Sequence, residues 1–195
     1  MTDSQNARPD DAPADEVMGQ VADQDAEQAA VEAEDDQVRT FWDLARLHAH
    51  LNEVPTYFGP TPLDSVPPPT WAFGASAEQA DALLGLVLDG TKTATASALW
   101  DYEAEGEQLP ETGNLSIVLD GSGRPRALLE TSEVTVVPFD EVDEEHARLE
   151  GEGDLSLAHW RTVHERFFTA EATHDHGFKS DMPVVCERFQ VLYSD

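Results

Sequence analysis

The spacing of hydrophobic and polar residues along the chain predicts its helices and strands. Apolar residues at helical spacing predict amphipathic helices over Val38–Leu51, over residues 77–88 and over about residues 155–172. Strand-like segments on either side of the turn at residues 120–123 predict strands over residues 115–120 and 126–137, and an apolar run predicts a strand over residues 184–193. A polar helix is predicted from about Phe139 to Leu149. Strands connected by helices in this way are typical of an α+β domain or a small β-barrel.

Two local signals bound the helix that precedes the stretch GTKTATAS, residues 90–97. Ser76 and Gln79 have the spacing of a capping box, in which their side chains satisfy free backbone donors at a helix start. Gly90 stands where the helix should stop. The hydroxyl-rich stretch therefore begins directly after a buried helix.

This stretch holds Lys92, one of only two lysines in the chain, among small residues and hydroxyls. In a regular strand Lys92 and Thr95 would point to opposite faces and could not act together. If the backbone after Gly90 is helical or turn-like, the spacing of three residues places both side chains on one face. A buried lysine without a full counter-charge would be a neutral amine able to activate a hydroxyl. Chemistry here therefore requires an irregular backbone, and an ordinary strand surface is the alternative.

Composition separates an acidic tail from the rest of the chain. Residues 1–36 contain 12 acids, one arginine and no aromatic residue, so they cannot bury enough apolar surface to order themselves. We predict a disordered tail over residues 1–36 and one folded domain over residues 37–195. The tail is interpreted as a solubilising extension, with partner binding as the other possibility.

Charge and cysteine content restrict the possible functions. The 195 residues include 40 acids and 11 basic residues, a formal net charge of −29, which argues against a broad basic surface for nucleic acid. A single cysteine, Cys186, permits no internal disulfide, and no apolar run is long enough for a membrane span. We expect a cytoplasmic protein without membrane or DNA partners, and the oligomeric state is left open.

Carboxylates and histidines offer further candidates for chemistry. Glu150 follows a predicted helix and precedes a glycine-rich loop, so its side chain could reach over a pocket, whereas most acids of residues 144–154 are expected in solvent. His159 and His164 lack the helical spacing of metal ligands, and His174 and His176 lie in a predicted loop. We interpret these histidines as surface residues and predict no metal and no cofactor.

Six motifs occur in an order that resembles the ASCH domain, over roughly Phe41 to Tyr193. They are WAFG (71–74), LVLDGTKTATAS (86–97), LWDYEAEGE (99–107), VVPFDEV (136–142), EGEGDLSLAHW (150–160) and DMPVVCERFQV (181–191). The G-x-K-x-x-T core of that family matches Gly90, Lys92 and Thr95. The resemblance implies a PUA-like fold, which is a small β-barrel with helices flanking a cleft, and association with RNA or a nucleotide.

Some members of that family remove the acetyl group of N4-acetylcytidine, and one longer member is described as a ribonuclease. Carried over to this chain, the resemblance makes Lys92 the base, Thr95 the nucleophile and Glu150 the proton donor. Glu150 would then need a raised pKa, which neighbouring acids would favour. An amidohydrolase, a ribonuclease and a non-catalytic RNA-binding module all remain possible.

The remaining ligand contacts are expected close to the motif. Gly90, Thr93 and Ser97 would line the cleft, and Trp100 and Tyr102 would form a wall on which a base stacks. Phe73 and Trp71 are expected in the core. Residues 71–195 hold eight basic residues against 25 acids, so we favour a nucleoside as the ligand over a longer RNA, although five arginines could still gather at the cleft: Arg124, Arg126, Arg161, Arg166 and Arg188.

Overall fold

The computed structural model describes residues 32–51 and 66–195. Packing divides the chain into two units, Met1–Gln37 and Val38–Asp195, and the sheet belongs to the second. A first helix, α1, covers residues 32–48. The other elements are, in chain order, β1 (Thr70–Trp71), α2 (Ala77–Leu88), β2 (Ala94–Ala98), α3 (Leu99–Glu105), β3 (Leu115–Leu119), β4 (Pro125–Pro138), a 3₁₀ turn (Phe139–Glu141), α4 (Glu144–Glu150), α5 (Leu157–Ala170) and β5 (Pro183–Ser194).

Five strands form one mixed sheet in the order β1-β3-β4-β5-β2. The β1–β3 pair is parallel and the other pairs are antiparallel. The long β4–β5 ladder changes register between Leu128 and Leu129 and again between Thr131 and Glu133. Such irregularities bend a strand and increase its twist. The predicted α+β fold class is confirmed, with the long strands bent and helices packed on the sheet.

The sheet is covered on both faces because adjacent strand residues point in opposite directions. On one face, α1 packs through Phe41, Trp42 and Ala45 on Ile117 and Leu128. On the other face, α2 joins a cluster made of Phe73, Leu84, Val87, Val118, Ala127, Leu129 and Phe189. Neighbouring buried residues of one strand, such as Ile117 and Val118, therefore pack in different layers.

Small residues make β2 a close packing surface. Ala94, Ala96 and Ala98 are buried, and the cluster around Ala96 and Ala98 includes Trp160 and Phe168 from α5. The intervening Thr95 and Ser97 are half-buried. The short side chains let helices approach one face of β2 while the hydroxyls remain on the other.

The structure differs from the predicted elements in three places. The predicted helix over residues 139–149 is a 3₁₀ turn followed by α4, because Val142 is extended (ψ 130°) and the Asp143 side chain caps the new helix at the His146 N–H. Helix α3 was not predicted. The described part of helix α1 already includes residues 32–37, ahead of the predicted start at Val38.

The predicted acidic tail lies outside the described residues as far as residue 31, and residues 32–36 belong to α1. Within residues 32–51 and 66–195, no helix combines the length and apolar character that crossing a membrane requires.

Candidate functional site

The backbone turns after α2 and then enters β2, so the helical or turn-like step expected over residues 92–95 does not extend to Thr95, which lies in the strand. Gly90 adopts a left-handed conformation (φ 75°), and the N–H groups of Thr91 and Lys92 both donate to the Leu86 carbonyl at 2.9 Å. Strand β2 begins at Ala94, and the Thr93 carbonyl just before it already accepts a hydrogen bond from the Phe189 N–H of β5 at 3.0 Å. Lys92 and Thr95 nevertheless both border one cavity.

The end of α4 lies directly against this irregular segment. The Thr93 N–H donates to the Leu149 carbonyl at 2.8 Å, and Gly151 ends the helix in a left-handed conformation (φ 73°). A side chain at Gly151 would place its Cβ 2.7 Å from the Thr91 carbonyl oxygen. This close approach of two backbones brings Lys92 to the two glutamates that flank Gly151.

Lys92 is fully enclosed, with 1% of its surface exposed. Its ammonium donates to Glu150 Oε2 at 3.0 Å, to Glu152 Oε1 at 2.7 Å and to the Glu150 carbonyl at 3.4 Å. It also lies 5.4 Å from the centre of the Phe73 ring. An ammonium has three N–H donors, and all three have acceptors here.

Glu150 is equally buried, at 1% exposure, and its second oxygen has partners on two helices. Oε1 accepts a hydrogen bond from Trp160 Nε1 at 2.7 Å and lies 3.2 Å from His146 Nε2 and 3.4 Å from His164 Nε2. The His164 ring stacks on Trp160 with centroids 4.2 Å apart. Both carboxylate oxygens are therefore held by side chains.

The protonation states expected from the sequence are wrong for both Lys92 and Glu150. Burial alone would raise the pKa of Glu150, but Lys92, His164 and His146 outweigh burial and hold that pKa well below its ordinary value. Burial would likewise lower the pKa of Lys92, but Glu150 and Glu152 raise it above its ordinary value. In the resting protein Lys92 is an ammonium and Glu150 a carboxylate, which is the reverse of a neutral base and a protonated donor.

Two cavities meet at Thr95. The smaller, of about 210 Å³, is lined by Lys92, Thr95, Glu150 and Glu152, together with side chains of α2 and α5 such as Leu83 and Phe167. The larger, of about 640 Å³, extends along the other side of β2 and reaches α3. All three predicted catalytic residues therefore line one small cavity, and Thr95 opens on both.

Only some of the residues predicted to contact the ligand line a cavity. Ser97 and Tyr102 line the larger cavity, where burial raises the pKa of Tyr102 and a hydrogen bond with Ser97 opposes that rise. Gly90 and Thr93 line neither cavity and shape the turn. Trp100 also lines neither, because it packs against the rings of His174 and His176 under the Lys179 ammonium.

Several site residues were missed or misread in the sequence. Glu152 was counted among solvated acids, and His164 was interpreted as a surface residue although it is 8% exposed and faces Glu150. Phe73 is buried in the core as expected, but it also borders the smaller cavity. The pattern E-G-E at residues 150–152 is a usable signal, since a left-handed glycine between two acids can turn both toward one cation.

The candidate arginines do not gather at the site. None of the five lines either cavity; Arg126 binds the Asp195 carbonyl, Arg161 the Asp140 carbonyl, and Arg188 pairs with Glu133 and Glu145. Among the described residues, no group of three or more histidine, cysteine or acidic side chains is arranged to hold a metal ion.

These features define an α+β domain with a buried lysine–carboxylate cluster at the junction of a helix end and a sheet edge. The family model for the ASCH domain matches residues 69–193. The chain belongs to the ASCH domain family, as the ordered motifs predicted.

Two solved structures show the same fold. Protein EF3133 from Enterococcus faecalis V583, of the family DUF984, is 37% identical over 80% of this chain and 88% of its own, with a TM-score of 0.68. An ASCH domain from Lactobacillus crispatus JV V101 is 29% identical over 81% of this chain and 95% of its own, also with a TM-score of 0.68. No curated protein matches the sequence.

Replacing Gly151 with alanine should disrupt the site far more than the same change at Gly106. Both glycines end a short helix with nearly equal positive φ, 73° and 70°, so both variants carry the left-handed strain of about 1–2 kcal/mol. Only at Gly151 does the added Cβ meet backbone atoms of Thr91 and Lys92, whereas at Gly106 it meets open space. We expect a clearly larger loss of unfolding free energy for Gly151→Ala in urea denaturation. Equal losses would contradict the close backbone approach.

The Lys92–Glu150 pair should make stability depend on pH at both extremes. The lowered pKa of Glu150 stabilises the fold above about pH 4.5, its ordinary value, and this contribution is lost as pH falls through the folded-state pKa. The raised pKa of Lys92 stabilises the fold below about pH 10.5, and this contribution is lost as pH rises through its folded-state pKa.

We therefore expect Glu150→Gln to lose about 3 kcal/mol of unfolding free energy at pH 7, because it leaves Lys92 with one carboxylate fewer. The difference from the native protein should shrink as pH falls below 4.5. Glu144→Gln, an exposed change on the same helix, should stay within about 0.5 kcal/mol throughout. A difference that grows in acid would show that Glu150 is protonated when folded.

Proposed function

We propose that the protein binds a modified nucleoside at the two cavities and hydrolyses an amide of the N4-acylcytidine type. The observation that carries this proposal is the convergence of Lys92, Thr95 and Glu150 on one cavity that opens beside a larger cleft. A nucleophile, a proton carrier and space for an acyl group are the minimum for acyl transfer. We expect this activity in the cytoplasm, and its RNA-related ligand follows from the family resemblance.

Thr95 is the nucleophile in this proposal because it is the residue that both cavities share. A substrate with its base in the larger cleft and its acyl group in the smaller cavity would place the amide carbon at Thr95. The acyl side of the site is mainly apolar, with Phe73, Leu83, Val163 and Phe167 among its walls. An acetyl group or a somewhat larger acyl group suits such a lining.

The resting ion pair requires a proton shift before Lys92 can act as a base. Substrate that fills the smaller cavity removes water, and a lower local dielectric favours neutral partners over an ion pair. We propose that the proton leaves the Lys92 ammonium for Glu152, whose carboxylate lies 2.7 Å away. The Glu152 side chain is 23% exposed and therefore more accessible than that of Glu150. Glu150, with both oxygens engaged, then remains the fixed counter-charge that positions Lys92.

The protons balance over the two half-reactions. Neutral Lys92 takes the Thr95 proton as the oxygen bonds to the acyl carbon, and protonated Glu152 gives its proton to the departing nitrogen as the carbon–nitrogen bond breaks. These transfers restore the charged pair and leave an acyl-threonine. After a second shift from Lys92 to Glu152, water attacks the ester, Lys92 takes a water proton and Glu152 protonates the Thr95 oxygen.

One observation favours a second candidate, a binding module without catalysis. Two carboxylates hold Lys92 as an ammonium, and such a pair is stable without any proton transfer. In that case the cleft would recognise a nucleoside or a base of short RNA, and Thr95 would only contact the ligand.

Thr95→Val should abolish deacetylation while Thr93→Val should not. Valine keeps the shape of threonine and removes the hydroxyl, so the loss at Thr95 should reach at least about 100-fold in kcat/KM for N4-acetylcytidine. Thr93 lines neither cavity and makes one long hydrogen bond, at 3.5 Å, so its variant should stay within a few fold. Acetate release from N4-acetylcytidine by purified protein is the measurement. Unchanged turnover in Thr95→Val would remove the nucleophile assignment, and absence of turnover in the native protein would favour the binding module.

Glu152→Gln should lower kcat by about 10²–10⁴, the usual contribution of a general acid. The loss should be smaller for 5-fluoro-N4-acetylcytidine, because the less basic amine departs with less help from a proton donor. A merely structural role would lower both rates by the same factor. Rates for both substrates, with Glu144→Gln as the control, distinguish the two outcomes.

A further inference from the structure

The larger cavity has the size of a nucleoside site and is lined by residues of all five strands, of α3 and of the loop that follows α3. Its volume of about 640 Å³ is within the range of small-molecule pockets. Trp71 from β1 and Tyr102 from α3 border it, and aromatic faces of this kind accept a stacked base. Nothing in the proposed proton transfers uses this side of β2 except Thr95.

All the charged residues that line the larger cavity are acidic. Glu107, Glu111 and Glu187 border the cavity, and the remaining lining residues are uncharged: Pro69, Trp71, Thr95, Ser97, Tyr102, Gln108, Leu109, Pro110, Asn114, Leu115, Ser116 and Thr131. Phosphate sites need cations or clustered backbone donors that offset the negative charge. A phosphate group in this cavity would instead meet three carboxylates, which repel it most strongly at low salt.

Glu187 lies where it can contact the reacting part of a ligand. It is directly opposite Thr95 in the β2–β5 ladder, and side chains of opposed residues in an antiparallel pair have Cβ atoms about 4.5–5.5 Å apart. The Thr131 hydroxyl donates to Glu187 Oε1 at 2.6 Å. Among the described residues, no hydrogen bond or ion pair engages Oε2. One oxygen is thus fixed and the other is available at the cavity.

We propose that this cavity binds an unphosphorylated nucleoside whose base carries an amino or acylamino group, and that Glu187 selects that group by accepting a hydrogen bond from its nitrogen. A carboxylate is a natural acceptor for the N4 amino group of cytosine and opposes the O4 carbonyl of uracil. The orientation of the base rests on the proposed function, because an amide nitrogen at Thr95 must also lie near Glu187. The exclusion of phosphate rests on the lining alone.

Binding of ligands that cannot be hydrolysed tests this proposal separately from catalysis. Isothermal titration calorimetry of the full chain with cytidine, uridine and cytidine 5′-monophosphate gives the three affinities. We expect uridine to bind about tenfold or more weakly than cytidine, consistent with the discrimination of one good base contact. We expect the monophosphate to bind at least about tenfold more weakly at low salt, with the gap narrowing as salt is added.

The variant Glu187→Gln should bring the cytidine and uridine affinities to within about twofold of each other, because an amide can turn to donate to O4 as well as accept from N4. Glu133→Gln is the matched control, since Glu133 lies on the adjacent strand β4 outside this cavity, and it should keep the native ratio. Thermal unfolding of both variants checks that the fold is retained.

Equal affinity for cytidine and uridine in the native protein, or an unchanged ratio in Glu187→Gln, would overturn the role of Glu187. Tighter binding of the monophosphate or of a short RNA than of cytidine would overturn the exclusion of phosphate. Selective cytidine binding without release of acetate from N4-acetylcytidine would support this inference and reject the proposed hydrolase. Acetate release without the predicted selectivity would support the proposed hydrolase and overturn this inference.

Discussion

The buried ion pair between Lys92 and Glu150 is the interaction on which the rest of the site depends. Two charged groups at 1% exposure cost several kcal/mol each to remove from water, and only close pairing with complete hydrogen bonding offsets that cost. Trp160, His146 and His164 complete the shell of Glu150, and Glu152 completes that of Lys92. Replacing a buried ion pair with apolar side chains of similar volume is often neutral or stabilising, so stability alone is a weak reason for this cluster.

Much of the fold was predictable because it rests on local periodicity, whereas the protonation of the site was not. The apolar run in residues 115–119 and the capping signal at Ser76 indicate β3 and α2 without tertiary information. The pKa directions of Lys92 and Glu150 depend on partners 58 and 60 residues away, or on α5, and no local pattern contains them. Glu150 was therefore placed correctly at the cavity but given the wrong charge.

The positions of Glu152 and Trp100 were also not predictable from the sequence. An acid in an acidic, glycine-rich run is usually solvated, and only the left-handed turn at Gly151 directs Glu152 to Lys92. An aromatic residue directly after a candidate motif is a reasonable cleft wall. Trp100, the second residue of α3, instead packs against His174 and His176, while Tyr102, two residues later, reaches the cleft. Closeness to the motif in sequence is a poor guide to which residues border the cleft, because a helix begins directly after the motif.

The charge of the chain and the charge of the cleft point to the same kind of ligand. A net charge of −29 lowers the local concentration of any polyanion, and none of the five candidate arginines lines either cavity. Three of them, Arg126, Arg161 and Arg188, are engaged at carbonyls or acids elsewhere. A fold associated with RNA thus presents here a cavity bordered by carboxylates, aromatic rings and hydroxyls. Such a lining retains stacking and hydrogen bonding to a base and gives no attraction to its phosphate. Under the proposed function, an uncharged nucleoside therefore suits this lining better than an RNA strand does.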